Sequence, residues 1–247
     1  GVAMGRTLNG DAFTVKQPGR VWIYNNEDPI DELRRRLAAI CINWGIDPGE
    51  LEPRLFLDSG LERRLIVMKR KDNVAVATPD VDGLIAEIQR HRIDLLVVDP
   101  FVRVHQVDEN DNPDIDAVIE QFSRIAAQCN CCISVVHHGR KTPPGSHKSA
   151  GNAENARGAS ALKDAIRLAQ ELSTMTERDA ERLGVDDNER IWLVRADDAK
   201  NNMSPPAEGA IWFQRKSILL PNGLPPLGAE SDSVGVLEPW TPPDLDA

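Results

Sequence analysis

Two carboxylates and a pair of histidines stand where short apolar runs stop. Asp99 follows Leu95 to Val98 in RIDLLVVDPFVRVH (92–105), and Pro100 comes directly after it. Glu27 follows Val21 to Tyr24 and the pair Asn25-Asn26 in RVWIYNNEDP (20–29). His137 and His138 follow Cys132 to Val136 in CCISVVHHGRK (131–141). One fixed carboxylate can hold Mg2+ beside phosphates, and a second can polarise an attacking water. A histidine at a third point can hydrogen-bond a terminal phosphate and report its state. Neighbouring strand residues point to opposite faces, so His137 and His138 cannot easily share one metal ion. Each group also has a plainer reading: an Asp-Pro turn, a solvated glutamate, a satisfied polar strand end.

The elements that must position these groups are legible around them. A short, β-branched, wholly apolar run such as Leu95 to Val98 suits a strand buried on both faces of a parallel sheet. Its carboxyl end is where open α/β sheets bind ligands. After Glu27 a helix is predicted, with Asp28 as N-cap, Pro29 at the first position and Asp31 and Glu32 in the first turn. Ile30, Leu33, Leu37, Ile40 and Trp44 recur at helical spacing, and Gly45 ends the pattern. Further helices are expected from Asp80 or Asp82, over Asn112 to Gln128 and over Glu177 to Leu183. Residues 54–70 suggest short strands or a small hairpin. Residues 189–198 and 210–220 alternate as strands near a sheet edge do.

Composition sets outer bounds. The chain has 247 residues, 41% of them hydrophobic but only 4% aromatic, so Val, Ile, Leu and Ala must fill the core of one large α/β domain. No apolar run reaches 18 residues and no signal peptide opens the chain, so the expectation is a cytoplasmic protein that neither spans a membrane nor is secreted. Cys41, Cys129, Cys131 and Cys132 lack a second cluster at zinc spacing and read as buried free thiols. The net charge of −10 argues against coating duplex DNA with the whole surface. Positive charge is concentrated locally: Arg140, Lys141, Lys148, Arg157 and Lys163 stand against only Glu154 between 139 and 163. This glycine-bearing stretch reads as a mobile basic loop or, more plainly, as solvated surface. Beyond Leu220, prolines among glycines and acidic residues suggest a linker or tail over 221–247.

The order strand-NNEDP-helix, strand-VVDP, strand-VVHHGRK resembles the RecA-fold ATPases, and among them the RepA-like hexameric replicative helicases of plasmid, phage and prophage type in the AAA family. ARGASALKDAIR (156–167) and RADDAKNN (195–202) resemble the family's later segments. The resemblance runs from about Gly10 to about Leu220. It implies a three-layer α/β fold, with a mostly parallel twisted sheet and helices on both faces, as the core over 1–220. It also implies ATP and Mg2+ as cofactors. Asp99 would bind Mg2+ through water, as a Walker B aspartate does, and Glu27 would polarise the hydrolytic water. His137, or less readily His138, would sense the γ-phosphate. Arg157 and Lys200 would reach the nucleotide of a neighbouring subunit. Arg140, Lys141 and Lys148 would contact single-stranded DNA in the channel of a hexameric ring.

One departure is large. The phosphate cradle GxxxxGK[ST] of that family occurs nowhere in these residues. It is expected on a strand-loop-helix unit about 30 residues before IYNNEDP, so GVAMGRTLNGD looks like the tail of the helix after it. PPGSHKS (143–149) is not that loop: no glycine directly precedes Lys148, and no strand leads into it. Without the cradle these residues are expected to bind ATP weakly and to be inactive alone. Two other readings stay open: a non-catalytic scaffold that kept the fold, and a RecA-type motor for recombination or packaging.

Overall fold

The computed structural model describes residues 1–8, 15–138, 162, 165–203, 205, 209–223 and 231–243. At its centre is a parallel sheet in the order β2-β1-β5-β7, built from β1 (Val21–Asn25), β2 (Leu55–Ser59), β5 (Leu95–Asp99) and β7 (Cys132–Val135). Val21 of β1 lies opposite Leu55 and Leu95, and the same register brings Asn25 level with Ser59 and Asp99. Successive side chains leave a strand on opposite faces, which sorts the core. Val21, Ile23, Leu95 and Val97 pack against Leu37, Cys41 and Trp44 of α1 (Ile30–Trp44). Trp22, Tyr24, Leu96 and Val98 pack with α2 (Asp80–His91) and α3 (Asn112–Cys129), through Leu84, Ile88, Val118 and Phe122. This is a three-layer α/β fold with helices on both faces, as the sequence predicts.

Helix ends follow local chemistry. Asp111 caps α3 by accepting from the Asp114 N–H at 3.3 Å. Gly45 closes α1 at φ 58, a left-handed conformation glycine adopts without steric cost. The expected cap on α1 is corrected: Pro29 sits at the N-cap, and the Asp28 carboxylate instead pairs with Arg36 Nη1 at 2.8 Å. Residues 54–70 hold short strands, one of the two readings their sequence offers. Residues 55–59 belong to the parallel sheet, and a hairpin joins β3 (Met68–Lys71) to β4 (Val74–Ala77). Its two turn residues, Asp72 and Asn73, both have positive φ, which matches the right-handed strand twist. β6 (His105–Gln106) adds a short parallel pairing to β3.

A second, antiparallel sheet has the order β11-β10-β9-β8, from β8 (Leu168–Thr174), β9 (Leu193–Asn201), β10 (Ile211–Leu219) and β11 (Ser233–Pro239). The expected tail is therefore in part a strand. Val234 and Val236 of β11 are buried with Ala39 of α1 and Leu220, so alternation outweighs the flanking prolines. Beside this sheet lie α4 (Glu177–Leu183) and α5 (Asp187–Arg190). Arg195 of β9 donates to Asp179 Oδ1 at 2.9 Å and to Asp197 Oδ2 at 2.8 Å, and lies 5.6 Å from the Trp212 ring centre. Cys132 corrects the buried-thiol reading: it is exposed on β7, while Cys41 is buried. None of the described helices is long and apolar enough to cross a membrane.

Candidate functional site

The carboxyl ends of β2, β1 and β5 meet at one point. Asn25, the last residue of β1, is only 3% exposed and ties the three ends together. Its Nδ2 donates to Asp99 Oδ2 at 3.2 Å, and its Oδ1 accepts from the backbone N–H groups of Glu27 and Asp28 at 2.9 and 2.8 Å. One buried carboxamide thus fixes both the Asp99 carboxylate and the turn that carries Glu27. The backbone reinforces this: Asn26 N–H donates to Asp99 O at 2.6 Å, and Gly60 N–H to Asn25 O at 2.7 Å. Gly60 has to be glycine, because a Cβ there would lie 2.1 Å from Asn26 Oδ1. Ser59 Oγ closes the ring by donating to Asp28 O at 2.7 Å.

Negative charge prevails around Asp99. Burial first, then the Glu27 charge and to a lesser degree Asp28, push its carboxyl above the ordinary aspartate range, against partial relief from His138 and Arg36. A group with a raised folded pKa gives stability that is present below its unfolded pKa and lost as pH rises through the folded value. Asp99→Asn is therefore expected to raise the melting temperature at neutral pH. The gain should vanish at a pH below the ordinary aspartate pKa. Thermal unfolding of both proteins on either side of that range checks this, and an equal gain at both pH values would count against the charge argument.

The histidines divide. His138 Nε2 lies 3.8 Å from Glu27 Oε2, so His138 is the one that reaches the strand-end cluster. The His137 ring instead meets Phe101 edge-on, with 6.0 Å between centres. Sequence reading favoured His137 over His138 as the phosphate sensor; the geometry brings His138 beside Glu27 and His137 beside Phe101. On the opposite side, Arg103 Nε lies 4.0 Å from Glu27 Oε1. Sequence reading passed over Arg103, which stands four residues after Asp99 with no pattern of its own, and it passed over the bracing role of Asn25. Lys200 stands on β9 in the other sheet, opposite Ala169 of β8. Arg140, Lys141, Lys148 and Arg157 lie outside the described residues.

The strand ends thus bring a half-buried aspartate and an exposed glutamate close together. Against known protein families, the model of an AAA domain matches residues 1–144. The chain belongs to the AAA domain family. Among solved structures, this AAA domain is similar to a DnaB-like replicative helicase studied with primase. The TM-score there is 0.54 at 11% identity, covering 79% of this chain and 48% of the helicase. It is also similar to the RadB recombinase, with a TM-score of 0.47 at 13% identity, covering 79% and 75% of the two chains. At such identities the helicase likeness shows the fold, which is RecA-like. The AAA domain chain spans about half the length of that helicase.

Proposed function

We propose that this AAA domain serves, in the intact protein, as an ATP-hydrolysing RecA-type motor of the RepA-like helicase kind. It would move along single-stranded DNA as a hexameric ring in plasmid- or phage-type replication. The observation that carries the reading is the pairing of Asp99 and Glu27 on adjacent strand ends, both braced by Asn25.

The donor set fits hydrated Mg2+. Asp99 is a half-buried carboxyl crowded by two further carboxylates, and a divalent cation would relieve that charge. No group of three or more His, Cys, Asp or Glu among the described residues is arranged to hold a metal by itself. Mg2+ asks for no more than one or two carboxylates, completing its shell with water and phosphate oxygens. When bound, Mg2+ would neutralise charge developing on the transferred phosphoryl group.

Within this chain, Asp99 would hold the ion's water shell. Glu27 would accept the proton of the attacking water. His138, or His137 from beside Phe101, would hydrogen-bond the γ-phosphate. Arg157 and Lys200 would stabilise charge on a neighbouring subunit's nucleotide. Arg140, Lys141 and Lys148 would contact DNA phosphates, an interaction without sequence preference. Phosphate cradling would belong to a loop outside these residues.

The test is strand displacement on a forked DNA by the intact protein with Mg-ATP. Displacement is expected, with loss in Asp99→Ala and a weakened response to Mg2+. DNA-stimulated hydrolysis without displacement would point instead to a motor for recombination or packaging.

A further inference from the structure

Glu27 has a fixed backbone and a free carboxylate. Its N–H is held by Asn25, but its side chain is 42% exposed and has several rotatable bonds. A group that must polarise a water needs its oxygens held within tenths of an ångström. Among the described residues, His138 and Arg103 face it.

Arg103 has the firmer root. It sits on the 3-10 turn Phe101–Val104, directly after Asp99 and Pro100. Its neighbours Phe101 and Val104 are 1% and 0% exposed. The turn is pinned on three sides: Phe101 N–H donates to Val136 O at 2.7 Å, Arg103 N–H to Pro100 O at 3.2 Å, and Val67 N–H to Val104 O at 2.8 Å. From this rigid base the guanidinium, in a side chain 62% exposed, reaches across the mouth of the sheet to Glu27. An exposed pair of this length contributes little to stability, so the contact has no evident structural purpose. Arginine keeps its charge at every pH at which the protein is folded, and its planar fork leaves further N–H groups available while one faces Glu27. Histidine offers neither property.

We propose that Arg103 is a positioning residue for the hydrolytic step, holding the Glu27 carboxylate over the strand-end cluster. This rests on the reading of Glu27 as the group that polarises the water. Arg103 acts through Glu27 and makes no bond to the reacting atoms.

The experiment is single-turnover and steady-state hydrolysis of Mg-ATP by the intact protein, comparing Arg103→Ala, Arg103→Lys, Glu27→Gln and the Arg103→Ala/Glu27→Gln double variant. Arg103→Ala should lower kcat by roughly tenfold, within the range that small misplacements of a catalytic group cost. KM for ATP and the melting temperature should stay unchanged, and Arg103→Lys should recover part of the loss. The double variant should be no slower than Glu27→Gln, because an effect transmitted through Glu27 has nothing further to remove. An equal fold-loss from Arg103→Ala in both Glu27 backgrounds, or a loss expressed mainly in KM, overturns the proposal alone. A Glu27→Gln protein that hydrolyses at the wild-type rate overturns the reading of Glu27 and takes the proposal with it.

Discussion

Glu27→Gln is expected to lower ATP hydrolysis by the intact protein about 10²–10⁴-fold, the usual cost of losing one general base, while Mg-nucleotide still binds. The substitution keeps the shape of the side chain and removes only its charge. The turn itself is held through the Glu27 backbone N–H and the Asn25 carboxamide, neither of which the substitution touches. The fold around Asp99 should therefore be unchanged. Asp99 and its contact with Asn25 stay in place, so Mg-nucleotide binding should persist. Phosphate release measured beside fluorescent-nucleotide binding separates the two effects. Near-normal release would remove Glu27 from the chemistry, and a parallel loss of binding would make it a ligand and not a base.

The largest effect on stability is expected at Arg195, far from the strand-end cluster in sequence. Arg195 is 20% exposed at its side chain and is shared between Asp179 at 10% and Asp197 at 13%. Burial alone would raise the Asp179 pKa, but the Thr176 hydroxyl and the Arg195 charge outweigh it and hold the carboxyl below the ordinary range. Arg195→Ala leaves two poorly solvated carboxylates with only the exposed Arg182, 3.6 Å from Asp179, still facing them, and should destabilise the fold by about 3–5 kcal/mol, as breaking a buried pair does. The pH dependence has a definite sign. A carboxylate with a depressed folded pKa gives stability that is present above its unfolded pKa and lost as pH falls through the folded value. The gap between wild type and variant should thus be widest near neutrality and narrow in acid. Urea unfolding across that range measures it, and a pH-independent gap would assign the loss to packing against Trp212 instead.

The parts that could be read from sequence are those in which one signal dominates. β1, β5 and α3 announce themselves because burial on both faces, or on one long stripe, forces unbroken apolar patterns. The Glu27 turn was legible because its acid-rich first turn and Pro29 mark a helix start. β11 was not, since Gly235 and the surrounding prolines mask the alternation of Val234 and Val236, and the partner that buries them, α1, lies at the other end of the sequence. The β3–β4 hairpin was not singled out, because Lys69, Arg70 and Lys71 are exposed and show no alternation. In the site, Asp99 and Glu27 stood out as lone charges after apolar runs. Asn25 and Arg103 did not, because bracing a neighbour is a property of three-dimensional approach and leaves no periodic trace.

The packing of β11 on α1 has a consequence for how the molecule comes into being. The helix that follows the Glu27 turn is translated well before its strand partner. Until Val234 and Val236 emerge, Ala39 and its neighbours on that side of α1 have no cover, although the opposite side can already settle against β1 and β5. Contacts between residues so distant along the chain close slowly, because a long loop must be ordered first. A nascent chain therefore carries the mouth of its site on a half-clothed helix until β11 has left the ribosome and completed it.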